Sequence, residues 1–206
     1  RPRWLALSTH PGEEEIVAEA HRRLVRNIPD LLTMIVPRHP GRGDEIAAAL
    51  RRMDLTVSQR SRHETVARTT AILLADTMGE LGVFCRLTDI AFVGGSLVPH
   101  GGQNPIEPAR LGCAILHGPH MQNFLAIEGE MKVAGASETV ATAETIGRAV
   151  GTLLSNPPLR QQRIAAARAV AEGKASILDA VFEHLDPYLD AIAPASSGQA
   201  ARDARA

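Results

Sequence analysis

Short apolar runs and amphipathic stretches alternate along the chain. Trp4-Leu5-Ala6-Leu7-Ser8 has the length and character of a strand buried on both faces, and Thr9-His10-Pro11-Gly12 ends it. Glu13-Glu14-Glu15 opens a helix predicted to run to about Asn27, its acidic first turn matching the positive end of the helix dipole. Leu31 to Val36 reads as a second strand, stopped by Pro37-Arg38-His39-Pro40, with a helix from about Asp44 to Met53 behind it. Leu55 to Val57 predicts a short third strand, and residues 58–69 are polar without a clear period. Ala71 to Ala75 is a strand. Thr77-Met78-Gly79-Glu80 has capping-box spacing, which predicts Thr77 as the N-cap of a helix ending near Thr88. Ile90 to Val93 is the next strand, and Gly94-Gly95 stops it. A helix from Pro105, a strand from Cys113 to Leu116, a helix over 121–132, a short strand at 139–141 and helices over about 143–154 and 158–185 complete the pattern. Beyond Ala193 the residues are those of a disordered tail, so the expected organisation is a domain over 1–192 and a tail over 193–206.

This alternation predicts an α/β domain, a parallel sheet covered by helices on both faces. Ligands of such sheets bind beyond the carboxyl ends of the strands. The segments of interest are therefore Ser8 to Gly12, Pro37 to His39, Asp76 to Glu80, Gly94 to Glu107 and Gly118 to Asn123.

Composition narrows the classes. The chain has 206 residues, room for one core with a tail. A net charge of −1 and 3% aromatic residues argue against wholesale nucleic-acid binding. Cys85 and Cys113 fall in apolar patterns outside any CxxC pair, as expected of buried thiols in a reducing compartment. No apolar stretch approaches the ~20 residues that span a bilayer, and no signal peptide opens the chain. The chain starts at Arg1 and enters a strand almost at once. That fits a domain of a longer protein, in which any membrane anchor lies elsewhere.

Gly94-Gly95-Ser96-Leu97 directly follows a buried strand, where paired glycines let a ligand or another backbone come close. In Gly101-Gly102-Gln103-Asn104-Pro105-Ile106-Glu107, Asn104 suits an N-cap and Pro105 the first helical position. Glu107 then either bonds back to the cap amide or faces a ligand such as a ribose, and spacing supports both equally. Arg38 at a strand end suits a phosphate, or is an ordinary loop arginine. Met78-Gly79-Glu80 offers amides to a nucleobase edge, or is an ordinary cap. Ser8-Thr9-His10 lacks the G-x-S-x-G elbow. The eight histidines lack metal-ligand spacing such as HExxH, and no metal is expected. The Walker A and G-x-G-x-x-G patterns are absent too.

Ser8 to Glu14, Val36 to Pro40, Asp76 to Leu81, Phe92 to Val98, Gly101 to Ala109 and Gly118 to His120 occur in this order. The set resembles the carboxyl-terminal domain of the 3-deoxy-D-manno-oct-2-ulosonic acid (Kdo) transferases, over about residues 3–190. The resemblance implies one Rossmann-like half of a GT-B glycosyltransferase. Such an enzyme moves Kdo from CMP-Kdo to a lipid A precursor in lipopolysaccharide synthesis, with inversion, at the cytoplasmic face of the inner membrane. By similarity, CMP contacts fall on Pro37, Arg38, Met78, Gly79, Glu80, Asn104, Pro105, Ile106 and Glu107. Ser8, Thr9, Gly94, Gly95 and Ser96 lie in further donor-site loops. Gln103 departs from the family's usual histidine. The catalytic base, acceptor site and membrane segment belong to an amino-terminal domain outside this chain, so no catalytic residue, and no cofactor, is expected here. A UDP-sugar epimerase-like domain and a non-catalytic nucleotide-binding module are the alternatives.

Overall fold

A computed structural model describes residues 1–173, within which Arg1–Ala171 form one compact unit. The remainder of the helix expected to reach 185, and the expected tail at 193–206, lie outside the described residues. The strands are β1 (Arg3–Thr9), β2 (Leu32–Pro37), β3 (Val57–Gln59), β4 (Ile72–Leu74), β5 (Ile90–Val93), β6 (Ala114–His117) and β7 (Ser137–Thr139). They form one parallel sheet in the order β3-β4-β2-β1-β5-β6-β7. The strand order reverses between β1 and β5. Leu5 lies opposite both Met34 and Ala91, and Leu7 opposite Val36 and Val93.

The helices are α1 (Glu13–Leu24), α2 (Gly43–Arg52), α3 (Leu81–Arg86), α4 (Ile106–Arg110), α5 (Leu125–Val133) and α6 (Ala143–Ser155); residues 157–173 are helical again. The period-2 alternation of the strands splits the core. Trp4, Ala6, Ile35, Phe92 and Leu116 pack with α1, α2 and α6 through side chains such as Val17, Leu50 and Val150. Leu5, Leu7, Met34, Val93 and Ile115 pack with α3, α4 and α5 through Phe84, Ala109 and Met131. Each large side chain so buried contributes roughly 1.5–3 kcal/mol. Both sheet faces are therefore covered, as the alternation of elements predicts.

Several boundaries differ from the sequence reading. α1 stops at Leu24, because Pro29 disfavours helical backbone at Ile28 and the chain turns there through Ile28 N–H to Leu24 O (2.9 Å). β3 is Val57–Gln59, not Leu55 to Val57. Its polar Ser58 and Gln59 are buried with hydrogen bonds between the Ser58 and Thr70 hydroxyls and from Gln59 Nε2 to Asp44 and Asp76. α5 is preceded by a 3₁₀ turn at Gln122–Phe124. The last short strand lies at 137–139.

The Thr77 capping box does not form. α3 starts at Leu81, after Gly79 in left-handed conformation (φ 79°), and Glu80 holds the cap position without a side-chain cap bond. The Glu80 carboxylate accepts from the Thr77 hydroxyl and not, as a capping box requires, from the Thr77 amide. α4 starts one residue late, with Pro105 in the cap position, but Asn104 Oδ1 still accepts from Ile106 N (3.0 Å).

His21, on the buried face of α1, has Nδ1 2.9 Å from Thr33 Oγ1 on β2. Burial, and behind it the charge of Arg1, pushes its pKa from 6.5 down to about 4. The unfolded chain takes up the proton near pH 6.5 and the folded chain does not. Stability from this group is therefore whole above pH 6.5 and declines as pH falls towards 4, by on the order of 3 kcal/mol. In urea unfolding, the stability difference between wild type and His21→Gln should shrink by that order across this window. A difference that stays constant refutes the assignment.

Candidate functional site

The site lies at the carboxyl edge of the sheet, where β1 and β5 run side by side. β1 ends in an irregular step, with Ser8 in left-handed conformation (φ 51°) between Leu7 and Thr9. The chain then turns into α1, whose first residue, Glu13, is fully buried. Its Oε2 accepts from the amides of His10 (2.9 Å) and Gly95 (2.7 Å). Its Oε1 accepts from the amides of Ser96 (3.0 Å) and Leu97 (2.8 Å). One carboxylate thus fastens the loop after β5 to the start of α1.

The surrounding glycines serve this closeness. A side chain on Gly94 would meet the β1 backbone, with its Cβ 2.5 Å from Ser8 O and 2.7 Å from Thr9 Cα. Of the two partners paired glycines admit, backbone is the one present at Gly94. Ser96 extends the connection to β6: its hydroxyl donates to Val93 O and accepts from Gly118 N (2.7 Å), and its carbonyl accepts from His120 N (2.9 Å). Gly118 lies so near that a Cβ would sit 2.1 Å from Ser96 O.

Thr9 and Glu14 form a second anchor. Thr9 Oγ1 donates to Glu14 Oε1 (2.8 Å), and Arg42 pairs with the same carboxylate (2.9 Å). Burial raises the Glu14 pKa, and the bonds from Arg42 and Thr9 oppose that rise. His10 stacks on His100 at 3.8 Å, and Gln103 Nε2 lies 3.1 Å from its Nε2. Burial, then the neighbouring His100, holds the His10 pKa below its ordinary value. Gln103 thus packs inward on His10.

Above these anchors lie two clefts, one on each side of the first turn of α3. The first, about 130 Å³, is lined by Ser8, Pro37, Arg38, Met78, Gly79 and Leu81 among others. Arg38 is exposed there and forms no ion pair among the described residues. The second, about 470 Å³, is lined by Gly82, Arg86, Asn104, Ile106, Glu107 and Arg110, with Leu111. Glu107 is exposed and its carboxylate makes no bond back to the cap. Its side chain is left facing solvent.

The predicted residues therefore separate. Pro37, Arg38, Met78 and Gly79 share one cleft with Ser8, and Asn104, Ile106 and Glu107 share the other. Pro105 is buried, and Glu80 lies between, bound to Arg60 and Thr77. Thr9, Gly94, Gly95 and Ser96 form the buried floor. Sequence reasoning missed the anchoring role of Glu13, whose acceptor duty to residues 95–97 leaves no local signal. It also missed Arg60, Arg86 and Arg110. Among the described residues, no cluster of three or more His, Cys, Asp or Glu is placed to hold a metal ion.

No protein-family model matches the chain. The 3-deoxy-D-manno-octulosonic acid transferase of Haemophilus influenzae is 39% identical over 191 residues, 92% of this chain and 45% of that protein. The crystal structure of the C-terminal CMP-Kdo binding domain of WaaA from Acinetobacter baumannii superposes with a TM-score of 0.79 at 33% identity, covering 82% of this chain and 89% of that one. This chain belongs to the Kdo transferase family. It spans less than half the length of the curated Kdo transferases it matches. A putative UDP-N-acetylglucosamine 2-epimerase from Listeria monocytogenes shares the fold alone, at 15% identity and a TM-score of 0.56. The Kdo transferase domain is thus a seven-stranded GT-B glycosyltransferase domain.

Glu13→Gln replaces one acceptor oxygen with an NH₂ group that points at amide donors. Each stranded amide costs about 1–3 kcal/mol. The variant should unfold at lower denaturant, and hydrogen exchange at residues 95–97 should quicken. Wild-type protection there would refute the anchoring role.

Proposed function

We propose that this domain binds CMP-Kdo and forms the donor half of a transferase that moves Kdo to a lipid A precursor. The observation that carries the reading is the pairing of two clefts around one helical turn. Among the described residues, one presents an arginine without an ion-pair partner, the other a carboxylate without a hydrogen bond. A nucleoside monophosphate offers the complement of each, an anionic phosphate and a ribose diol. Membership of the Kdo transferase family and the likeness to a CMP-Kdo binding domain support CMP as that nucleotide.

In this reading the ribose hydroxyls donate to Glu107 and the phosphate lies against Arg38. The amides of Met78, Gly79 and Glu80, which donate no hydrogen bond among the described residues, meet the base edge. As the bond from sugar to phosphate breaks, negative charge grows on the departing CMP. Arg38 is the kind of fixed group that stabilises such charge in the transition state. The proton of the acceptor hydroxyl goes to a base outside this chain. Glu13 is occupied by amides and Glu14 by Arg42 and Thr9, so neither carboxylate is free for that step.

The acceptor site, the inverting outcome and attachment to the inner membrane belong to the same proposal and to the rest of the enzyme. No helix of the described residues is long and apolar enough to cross a membrane.

Calorimetry tests the ribose assignment. Glu107→Ala should weaken CMP binding by about 1.5–3 kcal/mol, the scale of a charge-assisted hydrogen bond, and unchanged affinity refutes it. CMP should also raise the melting temperature of this chain where UDP does not. The reverse preference supports an epimerase-like domain instead. The chain alone should bind CMP and transfer no Kdo, and turnover by it would place the base here after all.

A further inference from the structure

The turn that leads into α3 is poorly held by packing. Met78 is 77% exposed, and the Cβ position of Gly79 has no neighbour within 4 Å. What ties this turn down is the Glu80 side chain. Arg60 grips it as a fork, with Nη2 2.8 Å from Oε1 and Nε 3.2 Å from Oε2, and the Thr77 hydroxyl donates to it as well. Arg60 comes from a distant place in the chain, just after the edge strand β3.

The backbone that carries Arg60 is braced by hydrogen bonds. Arg60 N–H donates to Leu74 O (2.9 Å), and its own carbonyl accepts from His63 N (3.0 Å). The neighbouring Ser61 donates to buried Asp76 from its amide (2.9 Å) and its hydroxyl (2.7 Å). Gln59 Nε2 bridges Asp76 and Asp44 at 2.8 Å each, and Arg62 pairs with Asp44 at 2.9 Å. Gly43 closes the other side of Asp76, where any Cβ would sit 2.0 Å from Oδ2. Residues 59–62 are thus a hydrogen-bonded bracket from which one guanidinium reaches Glu80, next to the Gly79 that lines the first cleft.

We propose that Arg60 is a positioning residue of the donor site, holding Glu80 so that the 78–80 turn keeps the geometry in which it meets the nucleotide. This rests on the nucleotide reading above. The pair is partly exposed, 49% for Arg60 and 30% for Glu80, and exposed pairs add little stability. A planar fork does fix direction, which a lysine cannot copy. The same contact, then Thr77, pushes the Glu80 pKa down to about 2, so the carboxylate stays ionised and gripped throughout the working pH range.

The test is CMP titration of the whole 206-residue chain, read by calorimetry, with melting temperatures measured alongside. Arg60→Gln should weaken CMP binding about tenfold, the scale of one charge-assisted hydrogen bond, with little change in melting temperature. Arg60→Lys should recover part of the loss. In a Glu80→Gln background, Arg60→Gln should have no further effect, because it acts through Glu80. Wild-type affinity in Arg60→Gln, or full additivity of the two changes, overturns the proposal. Failure of the wild-type chain to bind CMP overturns the nucleotide reading and this inference with it.

Discussion

The carboxylate of Glu13 is the constraint on which the working edge of this domain depends. Strands β1 and β5 are neighbours in the sheet but lie far apart in the chain, and both must release their loops at the same place. A buried carboxylate is costly to desolvate unless its lone pairs are taken. Here amides from both loops take them. That arrangement requires Gly94 to touch the β1 backbone, and through Ser96 it draws the end of β6 in as well. Gly102 N–H then bonds Gly95 O (2.7 Å), carrying the chain on to the start of α4. The place of Asn104 and Glu107 is thus inherited from a group on α1.

This arrangement separates groups that build the edge from groups left open at its clefts. Amides at 95–97, the Thr9 hydroxyl and the Glu14 carboxylate are satisfied within the protein. Arg38 and Glu107 have no such partner among the described residues, and each lines a cleft. Burial and hydrogen bonding make the same distinction between two acidic residues at the head of α1 and one at the head of α4. Two further clefts lie elsewhere on the domain. One lies at the amino-terminal end of the sheet beside Thr88 and Arg160, the other between α1 and α6 over Gly147 and Gly151. Neither is at the edge where a parallel sheet opens its loops to ligands.

The strands were legible because parallel strands buried on both faces read as continuous apolar runs, as in Ile90 to Val93. β3 was not, since Ser58 and Gln59 are buried with hydrogen bonds that no hydropathy pattern contains. The loops at the site were legible as motifs, but their internal roles were not. Thr77 and Glu80 have the spacing of a capping box. They fail to form one because Gly79 turns left-handed and Arg60, twenty residues upstream, takes the carboxylate. Glu13 reads locally as a dipole-matching acid, while the amides it binds stand some eighty residues on. Tertiary partners decide both cases, and local spacing carries no record of them.

The buried and exposed ion pairs around the site do different work for one physical reason. Glu14 and Arg42, largely out of water, are held by burial and a third partner, so neither can be reassigned without stranding the other. Arg60 and Glu80 remain in contact with water, where the attraction between them is weak but the fork still fixes an angle. In the proposed nucleotide reading, the 78–80 turn is held in the second way. It buries little of its own surface, so on that proposal a nucleotide in the cleft would add contacts to it. The domain keeps its stability in the two core layers under the sheet edge, and little of it rests on the exposed residues that line the clefts.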